Sequence, residues 1–380
     1  MKRSFFGPTT LLFCLLSAAG FAACASDGDD TASPATGGSA GSGGSGGSNA
    51  AGAAGEAGAT SSASVARGAY IVQHVAACGD CHTPRNADGS PDLTRMLAGN
   101  EAFADLDPTS TTKGLVPTPN LTPDPDTGLG GWTDEQIKNA FLNGIDADGK
   151  PLFSIMPYYV LHNMSDDDAN SIVMYLRSIP AVKHTIPERQ DLGFPVTTAK
   201  PVPAASIPDT TLPPSDPNYA KAEAGRYLAG SIGICMECHT EHDAMAAVPL
   251  KLDKLFAGNE AFSRDSLGLP PVFPANIYSA NVTPAANGIK GWTAKQVSTT
   301  LLTGVNNAGI PLCPPMPVGP NGAFGGLTAD DALAIGYYIT TLPPIDNGVI
   351  PWCSPPSGPG GGEGGAGAGG ASAGGAAGAP

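Results

Sequence analysis

Cys78-Gly79-Asp80-Cys81-His82 decides the reading of this chain, and it recurs as Cys235-Met236-Glu237-Cys238-His239. Two residues between the cysteines let one turn of backbone present both sulfurs to one edge of a flat ring. The histidine that follows then falls beneath the ring centre. That spacing is the attachment signature of c-type haem, in which the thiols bond the porphyrin and the imidazole ligates iron. A zinc site would want further Cys or His ligands at finger-like spacing, and none follow. The chain is therefore expected to carry two covalently bound haem c groups, on Cys78 and Cys81 and on Cys235 and Cys238.

Around these motifs the chain repeats itself. Gly68-Ala69-Tyr70 matches Gly225-Arg226-Tyr227, 157 residues on. Ala98-Gly99-Asn100-Glu101-Ala102-Phe103 matches Ala257-Gly258-Asn259-Glu260-Ala261-Phe262. Asn120-Leu121-Thr122-Pro123 returns as Asn281-Val282-Thr283-Pro284, and Gly131-Trp132-Thr133 as Gly291-Trp292-Thr293. Both copies reach a Met-Pro (Met156-Pro157, Met316-Pro317) and end at Ile179-Pro180 or Leu342-Pro343.

Each copy reads as mostly helical. A first helix is predicted over Val65 to about Ala77, and over Ala220 to about Ile234. Thr133-x-x-Gln136 and Thr293-x-x-Gln296 are capping boxes that start a middle helix. Ser165-x-x-Asp168 and Thr328-x-x-Asp331 place an N-cap and early acid at the start of a last helix. Pro180 and Pro343 end it. Long irregular loops lie between. In a domain this small they imply a large central group, which supplies core that some 120 residues with few aromatics would lack.

The rest of the chain is organised simply. Residues 1–23 read as an export signal, with Lys2-Arg3 before a short apolar core that begins at Leu11. Phe21-Ala22-Ala23-Cys24 resembles a bacterial lipobox, so Cys24 is expected to be acylated and to supply a membrane anchor. Residues 24–63 form a Gly/Ser/Ala-rich tether with an r.m.s. span of roughly 35 Å. The two repeats occupy 64–190 and 218–346. A Pro-rich segment, 191–217, is expected to be a semi-rigid spacer. Residues 347–380 are a Gly/Ala-rich tail. The formal net charge of −15 excludes binding of nucleic acid or anionic lipid by charge, and suits a cationic surface on a protein partner.

These features together resemble class I cytochrome c, used twice in tandem: an all-α fold of a few helices around a covalent haem. More narrowly, N-[LV]-T-P, G-W-T, M-P and [IL]-P in order resemble the cytochrome c subunits of membrane-bound periplasmic dehydrogenases of the alcohol or gluconate type. The resemblance covers about 64–190 and 218–346. It implies His82 and His239 as proximal iron ligands and Met156 and Met316 as distal ones. The residues agree. Met236 lies inside the motif, Met245 is too close behind it, and Met96, Met164 and Met174 have no partner at the repeat offset. His/Met ligation fills both axial positions and raises the potential.

Trp132 and Trp292 admit two readings, a haem-edge indole bonded to a propionate as in similar cytochromes, or a core aromatic at the helix entry. His74, His162, His184 and His242 have no histidine counterpart; His162, a rival ligand by its place near the Met156 loop, is read as a surface or pocket-edge residue, and His242, one turn after His239 and within reach of a propionate, as solvent-exposed. Asn120-x-Thr122 and Asn281-x-Thr283 match glycan sequons but are expected to serve turn geometry. With four cysteines on haem, Cys14 in the signal and Cys24 at the lipobox, Cys313 and Cys353 are left to form a disulfide.

Two function classes follow. One is a dihaem electron carrier between a periplasmic dehydrogenase or respiratory complex and an oxidase or other cytochrome. The other is a dihaem redox enzyme of peroxidase or thiosulfate dehydrogenase type. An enzyme needs an open iron with acid/base groups near it. The paired methionines favour the carrier.

Overall fold

The computed structural model describes residues 62–348, save Asp88, Pro108, Ala244, Met245, Gly268 and Pro270. The signal, Cys24, most of the tether and Cys353 lie outside the described residues.

Helix α1 (Val65–Tyr70) starts behind Ser64, whose hydroxyl accepts the Arg67 N–H. The helix does not continue in α register as expected. Ile71–Val75 widens into a π turn. Ala77 then takes the left-handed conformation (φ 51°), and α2 (Cys78–His82) carries the first motif. The second copy repeats the arrangement: α6 (Tyr219–Tyr227), a π turn over Leu228–Ile232, and α7 (Cys235–Cys238). Wide turns of this kind occur mostly as single-turn insertions in α-helices, frequently at functional sites.

The middle helices α3 (Asp134–Asn143) and α8 (Ala294–Thr303) begin with both reciprocal bonds of the capping box, at Thr133/Gln136 and Thr293/Gln296. They end at Gly144 and Gly304 in the left-handed region. Between α3 and the last helix of the first copy lies the one-turn helix α4 (Tyr158–Leu161), directly after Met156-Pro157. The last helices α5 (Asp166–Ser178) and α9 (Ala329–Thr340) are capped by the Ser165 and Thr328 hydroxyls, which accept the Asp168 and Asp331 N–H groups.

The loops are less irregular than the sequence implies. β1 (Asn100–Asp105) pairs antiparallel with β2 (Leu115–Thr118), with Asn100 opposite Thr118 and Asp105 opposite Leu115. β3 (Ala261–Ser263) pairs with β4 (Asn276–Tyr278). The fold is helical with these short ladders added.

α1 packs on α5, and α6 on α9. Glycine is required at both crossings. A Cβ on Gly68 would lie 1.9 Å from the Ser171 carbonyl oxygen, and one on Gly225 2.0 Å from that of Ala334. The buried side chains form one apolar cluster that takes residues from both copies. Tyr158, Tyr159, Phe256 and Tyr338 are its largest fully buried members. Tyr158/Tyr159 and Phe256/Tyr338 each meet edge to face at 5.7 Å.

Residues 191–217 are laid on this core. Val202 donates its N–H to the Tyr159 carbonyl (2.9 Å), and Thr211 to that of Thr341 (2.8 Å). Val202 and Ile207 are fully buried, worth about 1.5–3 kcal/mol each. Proline keeps the segment extended, and these apolar residues at its middle attach it to both copies.

Candidate functional site

Each motif is held by a turn from the adjoining loop. Burial lowers the pKa of His82, and its Nδ1 lies 2.9 Å from the Pro119 carbonyl oxygen. His239 is likewise buried and lowered, with Nδ1 2.7 Å from the Ala280 carbonyl. A neutral imidazole donates there through Nδ1–H, which leaves the Nε2 lone pair for a metal. The carbonyls are fixed by the repeated Asn-x-Thr. Asn120 Oδ1 accepts the Thr122 N–H (2.9 Å) and hydroxyl (2.7 Å), and its Nδ2 donates to the Val182 carbonyl (2.8 Å). Asn281 makes the same bonds to Thr283 and to Ile345 O. Both asparagines are buried, so their amides serve the turn.

The motif backbone is fixed as well. Gly99 and Gly258 donate N–H to the His82 and His239 carbonyls (2.8 Å each), and Thr118 Oγ1 donates to the Cys81 carbonyl (2.7 Å).

Cys78, Cys81, Cys235 and Cys238 are free thiols. Burial pushes the first three up to about 12 and raises Cys238 too. A redox C-x-x-C relies on a thiol with depressed pKa, which is the opposite of this environment. A small apolar recess opens beside Cys235, lined by Val75, Leu228, Leu301, Phe324 and Ile335 among others. Paired thiols, a neutral imidazole with one nitrogen committed, and an apolar seat fit a covalent haem.

Met156 and Met316 sit in matching loops. Met156 N–H reaches Phe153 O (3.1 Å), and Met316 N–H reaches Cys313 O (3.3 Å). Both methionines, Trp132 and Trp292 are half-buried against the same apolar cluster as Cys78 and Cys235. Of the rivals, Met174 is exposed, Met164 and Met236 are buried in the core, and the Met96 methyl lies beside Gly79. Met245 is outside the described residues. Cys313 is disulfide-bonded; the expected partner, Cys353, also lies outside them.

The other histidines are placed individually. His162 is exposed, with Nδ1 on the Leu142 carbonyl (3.0 Å). His74 meets Ala323 O (3.1 Å), and His184 Nε2 meets Glu101 (2.6 Å). His242, expected at the surface, is instead enclosed by two carboxylates. Its Nε2 is 2.9 Å from Glu237, within the second motif, and its Nδ1 is 3.0 Å from Glu260. Tyr159, from the first copy, donates its hydroxyl to the same Glu237 (2.6 Å). Nothing in the local sequence marks this cluster, because Tyr159 stands 78 residues from Glu237.

Burial alone would lower the His242 pKa, but the hydrogen bonds and charge of Glu237 and Glu260 outweigh it and raise it from 6.5 to about 10. A raised folded pKa gives stability that is complete below about pH 6.5 and is lost as pH climbs through about 10. Unfolding of the holoprotein is expected to become easier over that window, by on the order of a few kcal/mol. His242→Gln is expected to flatten the slope; an unchanged profile in that variant would rule out His242 as its source.

No family model matches the chain. It is homologous to cytochrome c subunits of dehydrogenases. It is 31% identical to the fructose dehydrogenase cytochrome subunit of Gluconobacter japonicus over 48% of this chain and 36% of that one. It is 28% identical to a diheme cytochrome c-type protein of Cereibacter sphaeroides, over 44% and 54%. It is 27% identical to the cytochrome c subunit of the alcohol dehydrogenase (quinone) of Gluconacetobacter polyoxogenes, over 75% and 57%. In each case the chain spans less than two thirds of the relative's own length. Among the described residues no helix is long and apolar enough to cross a membrane.

Proposed function

We propose that this chain is a dihaem electron carrier built from two tandem cytochrome c domains, 64–190 and 218–346. The observation that carries the reading is the twofold occurrence of one site: two free thiols beside a buried, neutral imidazole whose Nδ1 is committed to a main-chain carbonyl. Cys78, Cys81 and His82 would hold one haem, and Cys235, Cys238 and His239 the other. Met156 and Met316 would each supply a thioether as the second protein ligand to an iron. A haem iron ligated on both faces gains and loses single electrons without binding substrate.

The chain's own residues supply the rest. The turns at Pro119 and Ala280 orient the imidazoles, and the apolar cluster packs against Cys78 and Cys235. The proposed Cys313–Cys353 bridge would tether the loop that carries Met316. The relatives are named as cytochrome subunits of dehydrogenases, which supports a dehydrogenase as electron donor and an oxidase or other cytochrome as acceptor. The acidic surface suits a cationic docking face on either. The basic-then-apolar start of the sequence and the lipobox at Cys24 support a place on the periplasmic side, anchored through acyl chains.

The test is spectroscopic. Met156→Ala and Met316→Ala are each expected to remove about half of the methionine–iron charge-transfer band and to lower the potential of one haem. A band and potentials unchanged in both variants would sink the ligand assignment. A resting five-coordinate iron in the unaltered protein that turns over peroxide would sink the carrier reading itself.

A further inference from the structure

The two copies touch each other through the same residues used twice. Tyr70, at the end of α1, donates its hydroxyl proton to Asp331 Oδ2 (2.5 Å) and accepts the Thr328 N–H (3.1 Å) at the start of α9. Tyr227, at the end of α6, donates to Asp168 Oδ2 (2.8 Å) and accepts the Ser165 N–H (3.0 Å) at the start of α5. Tyr70 and Tyr227 are counterparts in the repeat, and so are the two capped helix starts that receive them. Each copy gives a tyrosine and takes one.

The reciprocity extends to the backbone. The π turn Ile71–Val75 packs on Ala323–Gly326, and the π turn Leu228–Ile232 packs on Tyr158–Leu161. Each of these partners follows the Met-Pro of the opposite copy. The two π turns also contact each other. Counterparts that exchange partners define a twofold relation, as in an isologous dimer. Counterparts that touch lie beside its axis. Each π turn runs within three residues into Cys78 or Cys235. Consistent with this, Val75 of the first copy lines the recess beside Cys235.

We propose that Tyr70 and Tyr227 are positioning residues that clamp the copies about a pseudo-twofold axis, and so hold Cys78–His82 and Cys235–His239 as one fixed pair of sites. The inference rests on the reading of both motifs as haem sites. Packing alone would be served by phenylalanine; the hydroxyls lock each π turn's leading helix to the opposite α5 or α9. Burial, with the aspartates adding to it, raises both tyrosines to about 12, so they remain donors at neutral pH.

The experiment is Soret circular dichroism of the holoprotein. Two haems held at one separation and orientation give a bisignate couplet. The unaltered protein is expected to show it. Tyr70→Phe/Tyr227→Phe is expected to retain both haems and the absorption spectrum while the couplet falls at least twofold, with each single variant between. Asp331→Ala, which removes the acceptor of the Tyr70 hydroxyl, reads the same clamp should the double variant fail to accumulate, and there too the couplet is expected to fall. A doubly loaded protein with no couplet, or a couplet unaltered in these variants, overturns the clamp and leaves the carrier reading standing. A chain whose mass shows no covalent haem overturns the carrier reading instead.

Discussion

Replacing Cys78 and Cys81 with alanine is expected to take the chain from two covalent haems to one, read as the mass of the denatured protein. The expectation follows from how the site is built. The imidazole of His82 is oriented by the Pro119 carbonyl and not by the thiols, so the double variant keeps a potential iron ligand but loses every covalent link. The second motif has its own turn, at Ala280, and is expected to load normally. The altered copy should also melt earlier. A haem held there would supply core that the copy otherwise lacks, and its loss is expected to cost about 3 kcal/mol or more by analogy with large-to-small core substitutions. Cys235→Ala/Cys238→Ala is expected to mirror the result. A variant with the mass of the parent protein would show that these thiols are not the points of attachment.

The second large effect is expected at the helix crossings. Gly68→Ala puts a methyl 1.9 Å from the Ser171 carbonyl oxygen, and Gly225→Ala puts one 2.0 Å from that of Ala334. Those obstacles are main chain, so no side chain can swing aside. α1 must lift off α5, or α6 off α9, and helices that feed directly into the motifs move with them. A loss of about 3 kcal/mol or more is expected for either change, in chemical denaturation of the holoprotein. Gly131→Ala is the control. Its nearest obstacle is 3.7 Å away, so a change within about 0.5 kcal/mol is expected. Equal effects at Gly131 and Gly68 would mean that glycine is needed for something other than close approach.

What the sequence disclosed was local. Thr133 and Gln136 form their capping box because both partners lie within one turn, and the same holds at Thr293. The Asn-x-Thr turns close over two residues. The motifs are legible because their chemistry demands fixed spacing. The π turns were not legible: Ile71–Val75 carries apolar residues that suit an ordinary helix, and the hydrogen-bond register is chosen by packing against the other copy. The short ladders were missed because Asn100–Asp105 and Leu115–Thr118 show little alternation. Glu237 was read only as a spacer inside a motif, yet its environment comes from Tyr159 and His242, one of them far away along the chain. Long-range polar partners leave no periodic trace, so the cluster emerges only once the copies are docked.

The atoms that hold His82 and His239 in place belong to the main chain of Pro119 and Ala280. A carbonyl oxygen is present whatever side chain surrounds it, so no point mutation at those two positions deletes the acceptor. The electron-donating strength of each imidazole is thereby insulated from ordinary sequence drift. Retuning it calls for a displaced turn, which lets the rest of the surface diversify toward different partners while both imidazoles keep the same hydrogen-bonded setting.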